Sequence, residues 1–131
     1  MTATTSLSLF NTASFDACLA EAVEAAQVGF YFEEGGCWGM AEALFTKLSA
    51  AGLKPQLVFR PTGFVHAWVM LDGVHLDWRG VFNAAPGWVN LADVAALRHV
   101  AADYGGTKGE GYLSDVALGT QVLEDALLRM A

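Results

Sequence analysis

The sequence predicts an α+β domain in which a small antiparallel sheet, of about three or more strands, packs with helices. Three observations carry that expectation. Apolar residues recur at helical spacing towards both ends of the chain, and two β-type runs in the middle, 65–71 and 74–78, flank Asp72-Gly73. No composition break or internal repeat divides the 131 residues, so a single domain over 1–131 is expected. A chain of that size buries roughly two thirds of its unfolded surface.

The first helix is expected from about Ser14 to Val28. Ser14 is a suitable cap, Phe15, Leu19, Val23 and Ala26 share a stripe, and Glu21 and Glu24 sit off it. A second helix follows the Gly35-Gly36 break and runs from Cys37 to about Ala51. Its stripe is Cys37, Met40, Ala41, Leu44, Phe45 and Leu48, with Gly52 as a left-handed terminator and Pro55 beyond it. Leu57-Val58-Phe59 reads as a strand. The runs around Asp72-Gly73 then read as a hairpin, that dipeptide being the strongest short-range signal for one. After the Gly/Pro-punctuated connection Asn83 to Trp88, Asn90 is expected to cap a third helix. That helix has Asp93 in its first turn, a stripe of Leu91, Val94, Leu97 and Ala101, and a stop at Gly105-Gly106. Gly105 to Gly111 reads as a loop, and a last helix begins near Ser114 with Val116, Leu123, Leu127 and Met130 on its stripe.

Composition narrows the function. Hydrophobic residues make up 54% and charged residues 16%, so the chain is expected to fold. Fourteen acidic residues against seven basic ones give a net charge of −7, and no Lys/Arg cluster occurs. Nucleic acid and an anionic membrane surface are therefore not the expected partners. No stretch approaches the roughly 18 apolar residues that span a bilayer. Met1 to Ala13 lack both the basic start and the apolar run of a secretory signal. Two cysteines, Cys18 and Cys37, are too few for a disulfide framework, which suggests reduced thiols and a cytoplasmic setting.

The hairpin has a chemical consequence. A two-residue turn at Asp72-Gly73 pairs Leu71 with Val74, Met70 with His75, Trp68 with Asp77 and His66 with Arg79. His66, Trp68, Met70, His75, Asp77 and Arg79 then share one face. Val65, Ala67, Val69, Leu71, Val74, Leu76 and Trp78 make the other, which is wholly apolar. His66 and Asp77 become diagonal neighbours, with Cβ atoms about 7 Å apart or less, a gap that one hydrogen bond closes. Cys37 falls in the first turn of its helix, where free N–H groups and the positive dipole end favour a thiolate and suit an oxyanion. If its helix covers the His66 face, with the C-terminal helices on the Val69/Leu76 face, then thiol, imidazole and carboxylate converge. Cys37 would be the nucleophile, His66 the base and acid, and Asp77 the orienting group.

Other uses of these residues are weaker. No CxxC, HxxxH or HExxH spacing is present, so neither a metal nor another cofactor is expected. Gly105-Gly106-Thr107-Lys108-Gly109 has the wrong order for a phosphate loop. Cys18 reads as a small packing residue, His75 as an exposed residue near the turn, and His99 as the solvated side of a helix. Trp38 and Trp68 are core residues by type, yet either could bind substrate as a wall beside the thiol.

Gly36-Cys37-Trp38 opening a helix, His66-Ala67-Trp68-Val69 on a strand and Leu76-Asp77 on the next resemble the transglutaminase-like branch of the papain-like cysteine superfamily. The resemblance covers residues 35–80, about a third of the chain. It implies a papain-like or transglutaminase-like core and a Cys37-His66-Asp77 triad. It also implies a hydrolase or acyltransferase, such as a thiol protease or a deamidase, with a protein or peptide substrate. Many papain-like peptidases place a Gln ahead of the Cys; here Gln27 stands ten residues upstream. The alternative is a small acidic binding or inhibitor protein on the same fold, catalytically inactive, that docks a protein partner.

Overall fold

The computed structural model describes residues 13–29, 32, 36–61, 66–104 and 109–130. Gly35, Val65 and the Gly105-Gly106 stop lie outside them. The elements are α1 (Ala13–Ala26), α2 (Cys37–Ala50), β1 (Gln56–Arg60), β2 (His66–Leu71), β3 (Val74–Asp77), β4 (Gly80–Phe82), β5 (Val89–Leu91), α3 (Val94–Asp103) and α4 (Gly109–Met130). The strands form one five-stranded sheet in the order β4-β3-β2-β1-β5, antiparallel throughout. The fold is α+β, as its patterning predicts.

Local chemistry explains most boundaries. Asp72 and Gly73 both have positive φ, 50° and 79°, which is the type I′ turn that matches strand twist. The pairs Leu71–Val74, Met70–His75 and Val69–Leu76 follow from it. Helix α2 ends as expected: Gly52, at φ 86°, donates to Ser49, and Leu53 donates to Leu48. Helix α1 ends the same way with Gln27 in the left-handed position at φ 58°.

Four expectations need correction. Asp93, and not Asn90, caps α3: its side chain accepts from Ala96 N–H at 2.8 Å, while Asn90 lies in β5 opposite Val58. Helix α4 starts at Gly109, five residues before Ser114, so Gly109 to Gly111 is helical and not loop. Strand β3 stops at Asp77, and Trp78-Arg79 form a turn, so Arg79 is not in a ladder opposite His66. Finally, Ser14 lies inside α1, which begins one residue earlier.

A larger correction concerns layers. Leu57, Phe59, Ala67, Val69, Leu71 and Leu76 share one core with Leu44, Leu48 and Trp38 of α2, and the Trp38 and Phe59 rings lie 6.0 Å apart. Helix α2 therefore covers the apolar face of the sheet and not the His66/Trp68 face. Helix α4 packs on α2 and α1, outside the sheet. The apolar face drew α2 because it offers the larger area to hide from water.

Helices α2 and α4 approach closely at Gly39, where a Cβ would come within 2.8 Å of the Asp115 backbone. Gly39→Ala should raise helix propensity by about 1 kcal/mol and still destabilise the protein, since backbone cannot step aside as a side chain can. The expected net loss is about 2–3 kcal/mol, or roughly 10 °C in melting temperature, read by calorimetry. A variant as stable as the parent would show that the two helices separate readily.

Candidate active site

Cys37 and His66 each stand first in their elements, α2 and β2, so their meeting needs only that the two starts adjoin. It does not need α2 to lie over the His66 face. His66 Nε2 donates to Asp77 Oδ2 at 2.9 Å, the diagonal contact expected from the hairpin register. That bond leaves Nδ1 as the remaining ring atom, and Cys37 is a neighbour close enough to favour charge on the ring. Burial opposes charge on the imidazole, but the Asp77 and Cys37 hydrogen bonds and charges outweigh it and push His66 up to about 9. A base raised in this way holds firmly a proton passed to it by a neighbouring thiol.

Asp77 is held as firmly from its other side. Its side chain is 2% exposed, and burial by itself would raise its pKa. The His66 hydrogen bond and the Arg79 side-chain and backbone donors reverse that, so the carboxyl lies below the usual range. Arg79 N–H donates to Oδ1 at 2.8 Å, Nε reaches both oxygens, and one Nη donates to Oδ2 at 2.6 Å. The guanidinium also lies over the Phe82 ring at 4.5 Å. Sequence reasoning placed Arg79 on this face without a role; its position two residues after Asp77 was the signal available.

The sharp helix start expected at Cys37 is softened. Gly36 is itself in the αR region, at φ −73° and ψ −6°, and gives no side-chain cap. Cys37 is 3% exposed. Trp38 and Trp68, expected as substrate walls, are buried at 3% and 2%. Trp38 packs on Phe59, and its carbonyl accepts from the Tyr112 hydroxyl at 3.5 Å. Trp68 stacks on His66 at 5.5 Å and donates its Nε1–H to His75 Nδ1 at 2.8 Å. His75 is consequently half-buried and not exposed, and burial lowers its pKa. His99 is exposed beside Asp103, and Cys18 packs against the core. Gln27, the helix stop, lines a cavity of about 580 Å³ with Trp78 and Arg79.

His66 borders a smaller cavity, of about 200 Å³, together with Trp68, Arg79 and Phe82. A second polar cluster lies apart from it. Glu42 of α2 takes two bonds from Arg98, at 2.8 and 2.6 Å, and one from Tyr112 at 3.0 Å. Burial and the Glu42 charge raise the Tyr112 pKa, so this phenol stays protonated and ties three helices together. Among the described residues, no cluster of three or more side chains suits a metal ion, and no helix is long and apolar enough to cross a membrane. No family model, curated protein or solved structure matches the chain.

Proposed function

We propose that the chain is a thiol-dependent enzyme acting on an amide or acyl bond, of transglutaminase-like or papain-like type, with Cys37, His66 and Asp77 as its triad. The observation that supports this reading is His66, held by Asp77 at 2.9 Å on one nitrogen and partnered by Cys37. His66 takes the Cys37 proton as the sulfur attacks the carbonyl carbon; a C–S bond forms, and the carbonyl π electrons move to oxygen. Collapse of that oxyanion breaks the C–N or C–O bond, and the leaving group takes its proton from His66. Water or an amine, deprotonated by His66, then attacks the thioester and returns the thiol. Water makes the enzyme a peptidase or deamidase; an amine makes it an acyltransferase. A protein or peptide substrate and a reducing, cytoplasmic setting belong to the same reading.

The burial of Cys37 favours the second reading, an inactive binding or inhibitor protein on this fold. Alkylation separates the two. At pH 6 iodoacetamide should label Cys37 at least tenfold faster than Cys18, the internal reference, because an ordinary thiol with a pKa near 8.5 barely reacts there. His66→Ala should erase the difference. Equal, slow labelling of both cysteines at pH 6, judged by intact mass and peptide mapping, would leave the binding protein as the better account.

A further inference from the structure

Arg60 is the residue that neither the fold nor the triad explains. All four arginines of the chain are described, and three hold a carboxylate: Arg79 on Asp77, Arg98 on Glu42, and Arg129 on Asp125 and Glu21. Among the described residues Arg60 holds none, although it is half-buried, and its Nε is buried without a hydrogen-bond partner there. A buried guanidinium donor left unsatisfied is costly, and such groups in native proteins ask for a reason.

Its position supplies one. Arg60 is the register partner of His66 across β1 and β2, so the two side chains share a face, with Cβ atoms about 5 Å apart. Both line the 200 Å³ cavity, together with Trp68, Arg79, Phe82 and Asn83. The chain closes over Arg60 at Gly87, where a Cβ would stand 3.9 Å from Nε. In a protein of net charge −7, a small cavity with two guanidiniums, an amide and two aromatic rings is built against the prevailing field. Its volume lies below the range usual for whole ligands and suits one side chain or one chain end.

We infer that this cavity is a substrate subsite for a carboxylate, with Arg60 as the group that binds it beside the triad. The inference rests on the proposed acyl chemistry and names its substrate class: amides or esters that also carry a carboxylate. That carboxylate is either an acidic side chain or the terminal carboxylate of a peptide. Arg79 is already committed to Asp77, which leaves Arg60 to give the charge-assisted bonds.

The test compares three near-isosteric ligands, titrated into the whole protein and followed by the Arg60 Nε–H resonance. N-acetylglutamic α-amide carries only a side-chain carboxylate, N-acetylglutamine only an α-carboxylate, and N-acetylglutaminamide neither. One of the two acids is expected to bind at least about tenfold tighter than the neutral amide, and its identity tells side chain from chain end. Arg60→Gln, followed by the His66 ring resonances, should bring all three to the same affinity. Arg60→Lys, which keeps the charge and loses the fork, should recover part of the preference. Equal affinities for the three ligands in the parent, or an undiminished preference in Arg60→Gln, would overturn the inference. These readouts do not use Cys37, so failure of alkylation with carboxylate binding intact refutes the enzyme and leaves the subsite standing.

Discussion

Cys37→Ser is expected to remove turnover and alkylation at residue 37 completely while lowering the melting temperature by only a few degrees. Loss of the nucleophile in triads of this kind costs about 10⁴–10⁶-fold in rate, because a hydroxyl is a far poorer nucleophile than a thiolate under the same base. The folding cost is small for a structural reason. Serine differs from cysteine by one atom, and its hydroxyl keeps His66 as a partner, so the buried polar group is satisfied at a cost of about 1 kcal/mol. Leu44→Ala supplies the contrast. Leu44 lies in the same helix, fully inside the core, and its truncation should cost about 2–5 kcal/mol out of a total near 5–15. Calorimetry and hydrolysis of an activated ester, measured on both variants, decide between the roles. If Cys37→Ser destabilises as much as Leu44→Ala and activity merely tracks the folded fraction, Cys37 is a packing residue.

Asp77→Asn should lower the rate by about 10³–10⁴-fold with the protein still folded. The reason lies in Arg79. Every group that meets the Asp77 carboxylate is a donor: His66 Nε2–H, the Arg79 backbone N–H, and the guanidinium on both oxygens. An amide must turn its NH₂ towards one of them. Turned to His66, it donates to Nε2 and drives the remaining proton to Nδ1, the atom that must accept one from Cys37. Turned to Arg79, it sets N–H against N–H and loosens the turn at Trp78-Arg79, at a cost of about 1–3 kcal/mol. The pH dependence of stability carries the same signature. His66 is raised in the folded state, so its contribution is complete below the unfolded value near 6.5 and is lost as pH rises through about 9. In Asp77→Asn burial is opposed more weakly, and that decline between pH 6.5 and 9 should flatten. Denaturant titrations at pH 6, 7.5 and 9 measure it; an unchanged slope would mean that Asp77 does not set the charge of His66.

The chain by itself determined what local geometry can encode. Asp72-Gly73 admits positive φ at both positions, so the hairpin register followed from two residues. Alternation along β2 and β3 then put His66 and Asp77 on one face, and their hydrogen bond lies where that register requires it. The stripes of α1 and α2 and the left-handed Gly52 are likewise signals read within a few residues.

Tertiary structure decided what depends on a neighbour. Strands β4 and β5 have three residues each, too few for a period to show, and they exist because β3 and β1 offer an edge to pair with. Alternation separates the two faces of the sheet but does not say which helix covers either one. Helix α2 took the apolar face, and Cys37 neighbours His66 where the two elements begin. Trp38 and Trp68 look alike in sequence, yet one is enclosed by Phe59 and the other by His66 and His75. The roles of Arg79 and Arg60 were equally hidden. A guanidinium is assigned by the charge it meets, and only the folded chain gave Arg79 a carboxylate and left Arg60 beside a cavity.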